Sequence, residues 1–503
     1  MSELTSDERT QSSLKSVTRG ASLFFIGRVL SNALRFIFNL LLTRGLGPSL
    51  YGIYSYAMTL MSLAIILARV GTGKSLLKYI PANDENPERR NRYVALAYVT
   101  ALLGSVIVGT GVYLSAPMIS RFTMDSDLLI KVLRIFSIVL PFNTLIELTN
   151  AVFRGLEKLE YRVAVADIVQ PLVQIATVAT ALFLGYSLIG VTAALAVGAI
   201  FVCIVAVGIV FTWSPVRPTS SIGGSRIELF EFYNYSVPLT LKDIGSVLYT
   251  RVDILMVGFF LAESSVGIYR LAVLVSGLLV LPLTAFNQLF PSVASRLYTN
   301  NQTHELKSVY ESVTRWTLTA AIPLALVIGI YSSEFLSIFG TGYTAGSLVL
   351  VLFTIGQITN CAVGPSGYLL MMSDHQYVNM ANQWVLGVLN VVLNYLFIRE
   401  YGLIGAALAT AGVLSFINVV RVVEVYHFEG LTPYSKSFWK PIIAGVIAAG
   451  VMTLLGTILQ GYVLLIGGGL IGGMVFLGLL IAFGIEQDDI ELFRQTVGKR
   501  IEE

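Results

Sequence analysis

Two arginines, Arg28 and Arg35, stand inside an apolar stretch from Ala21 to Thr43 that carries no acidic residue. The stretch is long enough to cross a bilayer as a helix, which takes about 20 residues. Seven residues separate the pair, two helical turns, so both guanidiniums lie on one face. A guanidinium facing lipid at mid-depth costs about 3 kcal/mol or more, so such a residue faces protein or water. One reading is structural: a salt bridge to another helix, or snorkelling to the interface. The other is a cavity that holds an anion, since a guanidinium meets a phosphate through two parallel hydrogen bonds. The lack of a carboxylate within the stretch favours the cavity.

Other charges lie inside apolar stretches. Lys242, Asp243, Arg251 and Asp253 fall within 234–260, with Arg69 and Arg270 at the ends of two further stretches. Residues i and i+2 do not share a helix face, so each charge in 242–253 needs a partner on another segment. Arg28, Arg35, Arg69, Arg251 and Arg270 are the candidate substrate-binding residues of a cavity. Asp243 and Asp253 are the candidates for a coupling ion. Glu147 lies within a stretch, and Asp167 and Glu424 near stretch ends.

Several patterns resemble catalytic motifs and lack their context. GTGKS at 71–75 looks like the end of a P-loop, but Ala68 stands where the first glycine belongs and no strand precedes it. Asp125-Ser126-Asp127 has the spacing of a metal-bound sugar-nucleotide site, yet it sits just before an apolar run and reads better as a helix N-cap. His304, His375 and His427 are scattered, and Cys203 and Cys361 lie in apolar segments, so neither a metal site nor a disulfide framework is expected. Asn234 and Asn301 begin glycosylation sequons on the side expected to be cytoplasmic and are read as silent. Pro141, Pro171, Pro238, Pro282, Pro323 and Pro365 lie in or beside apolar stretches, as kinks or hinges.

These residues must be positioned by membrane helices. The chain has 503 residues, 55% hydrophobic and 13% charged, with a mean hydropathy of +0.76. Soluble chains are nearer a quarter charged. Fourteen apolar spans are expected, near 21–43, 50–70, 93–114, 128–149, 163–184, 188–211, 234–260, 266–289, 314–331, 346–370, 384–398, 402–423, 441–459 and 462–484. The first is not shaped like a cleaved signal peptide and is expected to be retained. An even count puts both termini on one side. Of 33 Lys and Arg residues, 22 fall on that side and 5 on the other, which makes it cytoplasmic. The longest loops, near 71–92, 212–233 and 290–313, are too short for a soluble catalytic domain of ~50 residues.

A repeat organises the spans. GIYSYA at 52–57 recurs as GIYRLA at 267–272, and YSLIGVTAALA at 186–196 as YGLIGAALATA at 401–411, both at an offset of 215 residues. The expected architecture is all-α. A cytoplasmic segment (1–20) precedes an N-lobe of six helices (21–211), a cytoplasmic linker (212–233) and a C-lobe of six (234–423). Two extra C-terminal helices with their preceding loop (424–484) and a cytoplasmic tail (485–503) follow. Six spans per copy give both lobes the same orientation, with a pseudo-two-fold along the membrane normal and a cavity between them.

The charged first span, RGLGPSLYGIYSYA at 44–57, the basic loop after the second span, VGIYRLA at 266–272 and the twelve-plus-two layout together resemble the polysaccharide-transport (Wzx-type) flippases. That family belongs to the superfamily that also holds lipid II flippases and multidrug exporters. The resemblance implies a non-enzymatic transporter in the cell membrane. It would carry a polyprenyl phosphate or pyrophosphate glycan from the cytoplasmic to the outer leaflet by alternating access, for cell-surface polysaccharide or glycoprotein glycans. No cofactor and no nucleic acid are implied; membrane lipid is a partner, and glycan-assembly enzymes are candidates. The alternative is a cation-coupled drug exporter, which would favour intramembrane carboxylates. A glycan polymerase or glycosyltransferase would carry a larger catalytic loop.

Overall fold

The structure, a computed structural model, describes the backbone of residues 6–213, 215–216 and 226–484, and within these the side chains from residue 30 on except 226–227, 246–249 and 376. All regular structure among the described residues is helical, with no strand. The protein is a multi-pass membrane protein. Eleven helices among the described residues are long and apolar enough to cross a bilayer. Two of these hold two expected spans each, because α1 (Ser6–Arg69) breaks at Gly47 and α15 (Gln376–Glu429) breaks at Gly402. The expected span at 234–260 lies in α8 (Arg226–Phe260), which is not among the eleven.

The break in α1 has a clear local cause. Gly47 holds φ 71° and ψ 177°, a region open only to glycine, and Pro48 follows with no amide hydrogen to continue the ladder. The chain then re-enters a helix that carries the first copy of the repeat motif. α2 (Thr72–Tyr79) is short and starts at Gly71. α3 (Pro87–Arg121) opens on Asn86, whose side chain accepts the Arg89 amide. α4 (Asp127–Gly155) follows; Ser126 holds its N-cap position without a side-chain capping bond, and Asp127 sits in the first turn. The capping expected from 125–127 is therefore positional, and Ser126 is tied instead to the Ser120 hydroxyl.

α5 (Leu159–Arg162) runs through a π-helical turn, Val163–Val169, into α6 (Gln170–Phe183). α7 (Leu188–Trp213) is apolar all round, as befits a helix with protein on one side and lipid on the other. Pro141 and Pro238 lie inside α4 and α8, and Pro171 near the start of α6.

The chain separates into two compact units, Met1–Gly267 and Ile268–Glu503. In the first, α4 packs on α3 and α7, while α8 packs on α1 and α2. An aromatic core joins α2, α3 and α8. The Tyr79 and Tyr93 rings stack at 4.6 Å, and Phe232, fully buried, lies 5.7 Å from both. Within this unit the repeated motif touches its own copy. A Cβ on Gly52 would lie 1.9 Å from the Glu263 carbonyl oxygen, and one on Gly267 would lie 2.0 Å from that of Pro48. Glycine is required because two backbones cross in contact.

The second unit begins within α9 (Glu263–Ser276) and contains α10 (Leu281–Thr299), α11 (Thr303–Ile330), α12 (Ser332–Ser337), α13 (Ser347–Val363), α14 (Ser366–Met372) and α15. It ends with α16 (Trp439–Gly456), α17 (Gly461–Val463) and α18 (Gly469–Ala482). α13 packs against α11 and α15, and α16 against α18 and α11. Large apolar side chains stand outward in both units, including Ile107, Leu114, Phe183 and Ile458. In a bilayer these faces meet hydrocarbon and carry no solvation cost.

Candidate functional site

The first unit contains an open-mouthed cavity of about 300 Å³. Its wall holds five cations, Arg35, Arg69, Lys74, Arg154 and Arg162, against three carboxylates, Glu147, Asp167 and Asp243. Two amides, Asn150 and Gln170, and two glycines, Gly71 and Gly73, share the lining. So polar a wall inside apolar helices is costly to build, and such clusters mark substrate or ion sites.

Each side chain arrives by a traceable route. Arg35 projects from the first arm of α1, and its Nε donates to the Ser31 hydroxyl at 3.2 Å. Arg69 closes the second arm of α1. Lys74 rides on α2. Glu147, Asn150 and Arg154 recur along α4 at intervals of three and four, so they share one face. Arg162, Ala166, Asp167 and Gln170 come from the α5–α6 segment, where the π-helical turn widens the spacing and helps bring them to the same wall. Asp243 comes from α8.

Three of the cations are matched. Arg69 Nη1 lies 3.6 Å from Glu147 Oε2, and Arg162 Nη1 lies 3.7 Å from Asp167 Oδ2. Lys74 Nζ pairs with Asp243 Oδ1. Arg35 and Arg154 have no carboxylate partner among the described residues, and both are exposed to the cavity. The wall therefore keeps an excess positive charge and suits an anion.

The structure brings together Arg35, Arg69 and Asp243 from the residues expected by sequence. Arg28 lies outside the described side chains. Arg251 and Asp253 sit elsewhere on α8: Arg251 Nη1 reaches the Ser62 hydroxyl at 3.5 Å, and the buried Asp253 carboxylate accepts the Ile254 amide at 2.8 Å. Arg270 belongs to the second unit and does not line this cavity. Lys74, Arg154 and Arg162 read in sequence as loop charges, and only the fold turns them onto one wall. The i, i+3, i+7 spacing of Glu147, Asn150 and Arg154 is the one signal that could have grouped part of this set. Among the described residues no group of His, Cys, Asp and Glu could hold a metal ion.

The repeat shows that this charge is not a property of the scaffold. At the 215-residue offset, Arg69, Lys74, Glu147, Arg154, Arg162 and Asp167 become Thr284, Leu289, Ala362, Leu369, Tyr377 and Asn382. Each of these six charges is replaced by a neutral residue, so these six belong to the first copy, whereas Asp243 lies in the second, at the position equivalent to Arg28.

Residues 17–296 match a family described as polysaccharide biosynthesis protein. A probable low-salt glycan biosynthesis flippase of Haloferax volcanii, Agl15, is 30% identical over 45% of this chain and 47% of its own length. The match thus spans about half of that relative. A probable flippase of the same organism, AglR, is 26% identical over 87% of this chain and 90% of its own. In structure, the lipid II flippase MurJ in an inward closed conformation superposes with a TM-score of 0.74 at 17% identity. That superposition covers 92% of this chain and 98% of MurJ, and at this identity it speaks to the fold alone.

Proposed function

We propose that this chain, which belongs to the polysaccharide biosynthesis protein family, is a flippase for lipid-linked oligosaccharide. The observation that carries the reading is the cationic cavity of the first unit, where Arg35 and Arg154 have no carboxylate partner among the described residues. A polyprenyl phosphate or pyrophosphate glycan has an anionic head that cannot cross hydrocarbon bare. The unmatched arginines receive that head, bidentately where the geometry permits, while the polyprenyl tail stays in lipid. By the bias of basic residues, both termini and the loops at 71–92 and 156–162 face the cytoplasm, so the head is taken from the cytoplasmic leaflet. Alternating access then releases it toward the outer leaflet of the cell membrane, for surface polysaccharide or glycoprotein glycans. Asp243, paired with Lys74, and the buried Asp253 are the candidate carboxylates for a coupling ion. The enzymes that assemble the glycan are the partners expected to supply the substrate.

The deciding experiment depletes the protein from its host and asks, with a membrane-impermeant sugar-modifying probe, which leaflet holds the lipid-linked glycans. Full-length glycans accumulating on the cytoplasmic leaflet are expected. Truncated glycans would assign the protein to assembly instead. Unchanged glycans with raised sensitivity to cationic dyes would assign it to drug export.

A further inference from the structure

We propose that the start of α2, Gly71-Thr72-Gly73-Lys74, seats the phosphate group of the ligand in this cavity. A phosphate ester docks on the Gly73 amide, with Arg69, Lys74 and Arg154 around it and the Asn150 amide completing the shell. The proposal rests on the flippase reading and gives that reading a point of contact.

The helix start is built and left open. Gly71 is left-handed (φ 70°, ψ 0°), and its carbonyl accepts the Lys74 amide at 3.1 Å and the Ser75 amide at 3.3 Å. The Thr72 and Gly73 amides have no acceptor among the described residues. No side chain caps the helix, and its first turn holds no acidic residue. The Thr72 hydroxyl, the natural candidate for a cap, donates instead to the Arg69 carbonyl at 2.7 Å. Free amides at a helix start, with the positive end of its dipole, form an anion site. Gly71 also brings this turn close under α8, since a Cβ there would lie 2.1 Å from the Ser236 carbonyl oxygen.

A second observation points to a ligand independently. Asn150 is 8% exposed and lines the same cavity, and its Oδ1 has no hydrogen-bond partner among the described residues. A buried amide oxygen left unmet costs about 1–3 kcal/mol. A ligand recovers that cost. The amide can present its donors to a phosphate oxygen or its acceptor to a hydroxyl of the ester. The GTGKS segment thus uses the physics of a phosphate-binding loop on a membrane helix, without the strand or the nucleotide. The cavity, at about 300 Å³, is at the lower bound of small-molecule sites, so it holds the head and leaves the rest of the glycan outside.

The test uses the full-length protein in lipid nanodiscs, with farnesyl phosphate as probe and farnesol and inorganic phosphate as the other arms. A Cβ at Gly73 meets Ala151 Cβ at 3.5 Å and Arg69 Nη1 at 3.9 Å, so a small side chain fits there beside the amides. Gly73→Asp places a carboxylate on the helix start and beside Arg69, and is expected to weaken farnesyl phosphate binding tenfold or more. Gly73→Asn, of the same size, is expected to weaken it less than threefold. Asn150→Leu removes the unmet oxygen, and is expected to keep or raise the Tm while weakening binding at least threefold. Farnesol is expected to bind at least tenfold more weakly than its phosphate.

Wild-type affinity in Gly73→Asp, or equal losses in the Asp and Asn variants, would overturn the seat at α2. Unchanged binding in Asn150→Leu would do the same should Gly73→Asp fail to fold. Inorganic phosphate binding as tightly as farnesyl phosphate would overturn the lipid head as occupant. Loss of transport in Arg35→Ala with Arg154→Ala, beside full transport and binding in Gly73→Asp, would remove the α2 seat and leave the flippase reading standing. Leaflet distribution unchanged on depletion would remove the flippase reading even where farnesyl phosphate binds.

Discussion

Matched and unmatched cations in the cavity do different work. Arg69 and Arg162 hold their carboxylates at 3.6 and 3.7 Å, loose contacts that leave each cation able to turn toward a better anion. Glu147 is half exposed, so its pair with Arg69 contributes about 0–1 kcal/mol. Among the described residues Arg35 and Arg154 have no such partner to give up, and they set the net charge. Arg35→Ala combined with Arg154→Ala is therefore expected to lower glycan translocation at least tenfold, with folded protein retained, measured by the outer-leaflet content of lipid-linked glycan. Glu147→Gln frees Arg69 and is expected to strengthen farnesyl phosphate binding about two- to fivefold, the gain shrinking as salt screens the site. Sequence shows that these residues are charged and roughly where they lie. It does not show which are matched, because Arg69 meets Glu147 and Lys74 meets Asp243 across chain separations that only packing closes.

At the scale of elements, the site depends on breaks in helices. The Gly47 break turns α1 back so that Arg35 and Arg69, on opposite arms, reach one wall. The π-helical turn carries Asp167, buried at the cavity edge against Arg162. The crossing of Gly52 with Gly267 sets how closely α1 approaches the start of α9, and no side chain fits between the backbones. Gly52→Ala must therefore push them apart, and is expected to cost about 1–3 kcal/mol, read as a lower Tm in nanodiscs. Gly47→Ala meets no atom within 4 Å, so its cost is conformational alone, about 1–3 kcal/mol for leaving a glycine-only region. The glycines of the GIY motif were legible as a repeat. Their contact with each other was not, because periodicity carries no information about which helices cross.

For the whole molecule, lipid replaces water as the solvent of the outer surface. That is why 55% hydrophobic residues and an apolar exterior coexist with polar residues gathered inside the first unit. The bias of basic residues predicts the orientation. Cys203 and Cys361 are buried, so introduced cysteines read out against a low background. Asp127→Cys, at the start of α4, is expected to react with an impermeant maleimide in intact cells. Gln302→Cys, just before α11, is expected to react only after permeabilisation. The reverse pattern would invert the orientation and move the cavity's charged loops to the outside.

By itself the sequence determined the membrane class, the all-helical architecture, the repeat and the presence of charge within apolar spans. Each follows from composition or period, which local chemistry writes directly into the chain. Tertiary structure alone decided which charges line the cavity. Arg35, Arg69 and Asp243 converge on one wall, whereas Arg251 and Asp253 turn elsewhere on the same helix that supplies Asp243. It also converted Lys74, Arg154 and Arg162 from loop charges into cavity wall. The reason is geometric: a residue's neighbours across a bundle depend on helix rotation, on breaks at single glycines and on one π-helical turn. A shift of one residue in any of these re-aims every side chain beyond it by about 100°.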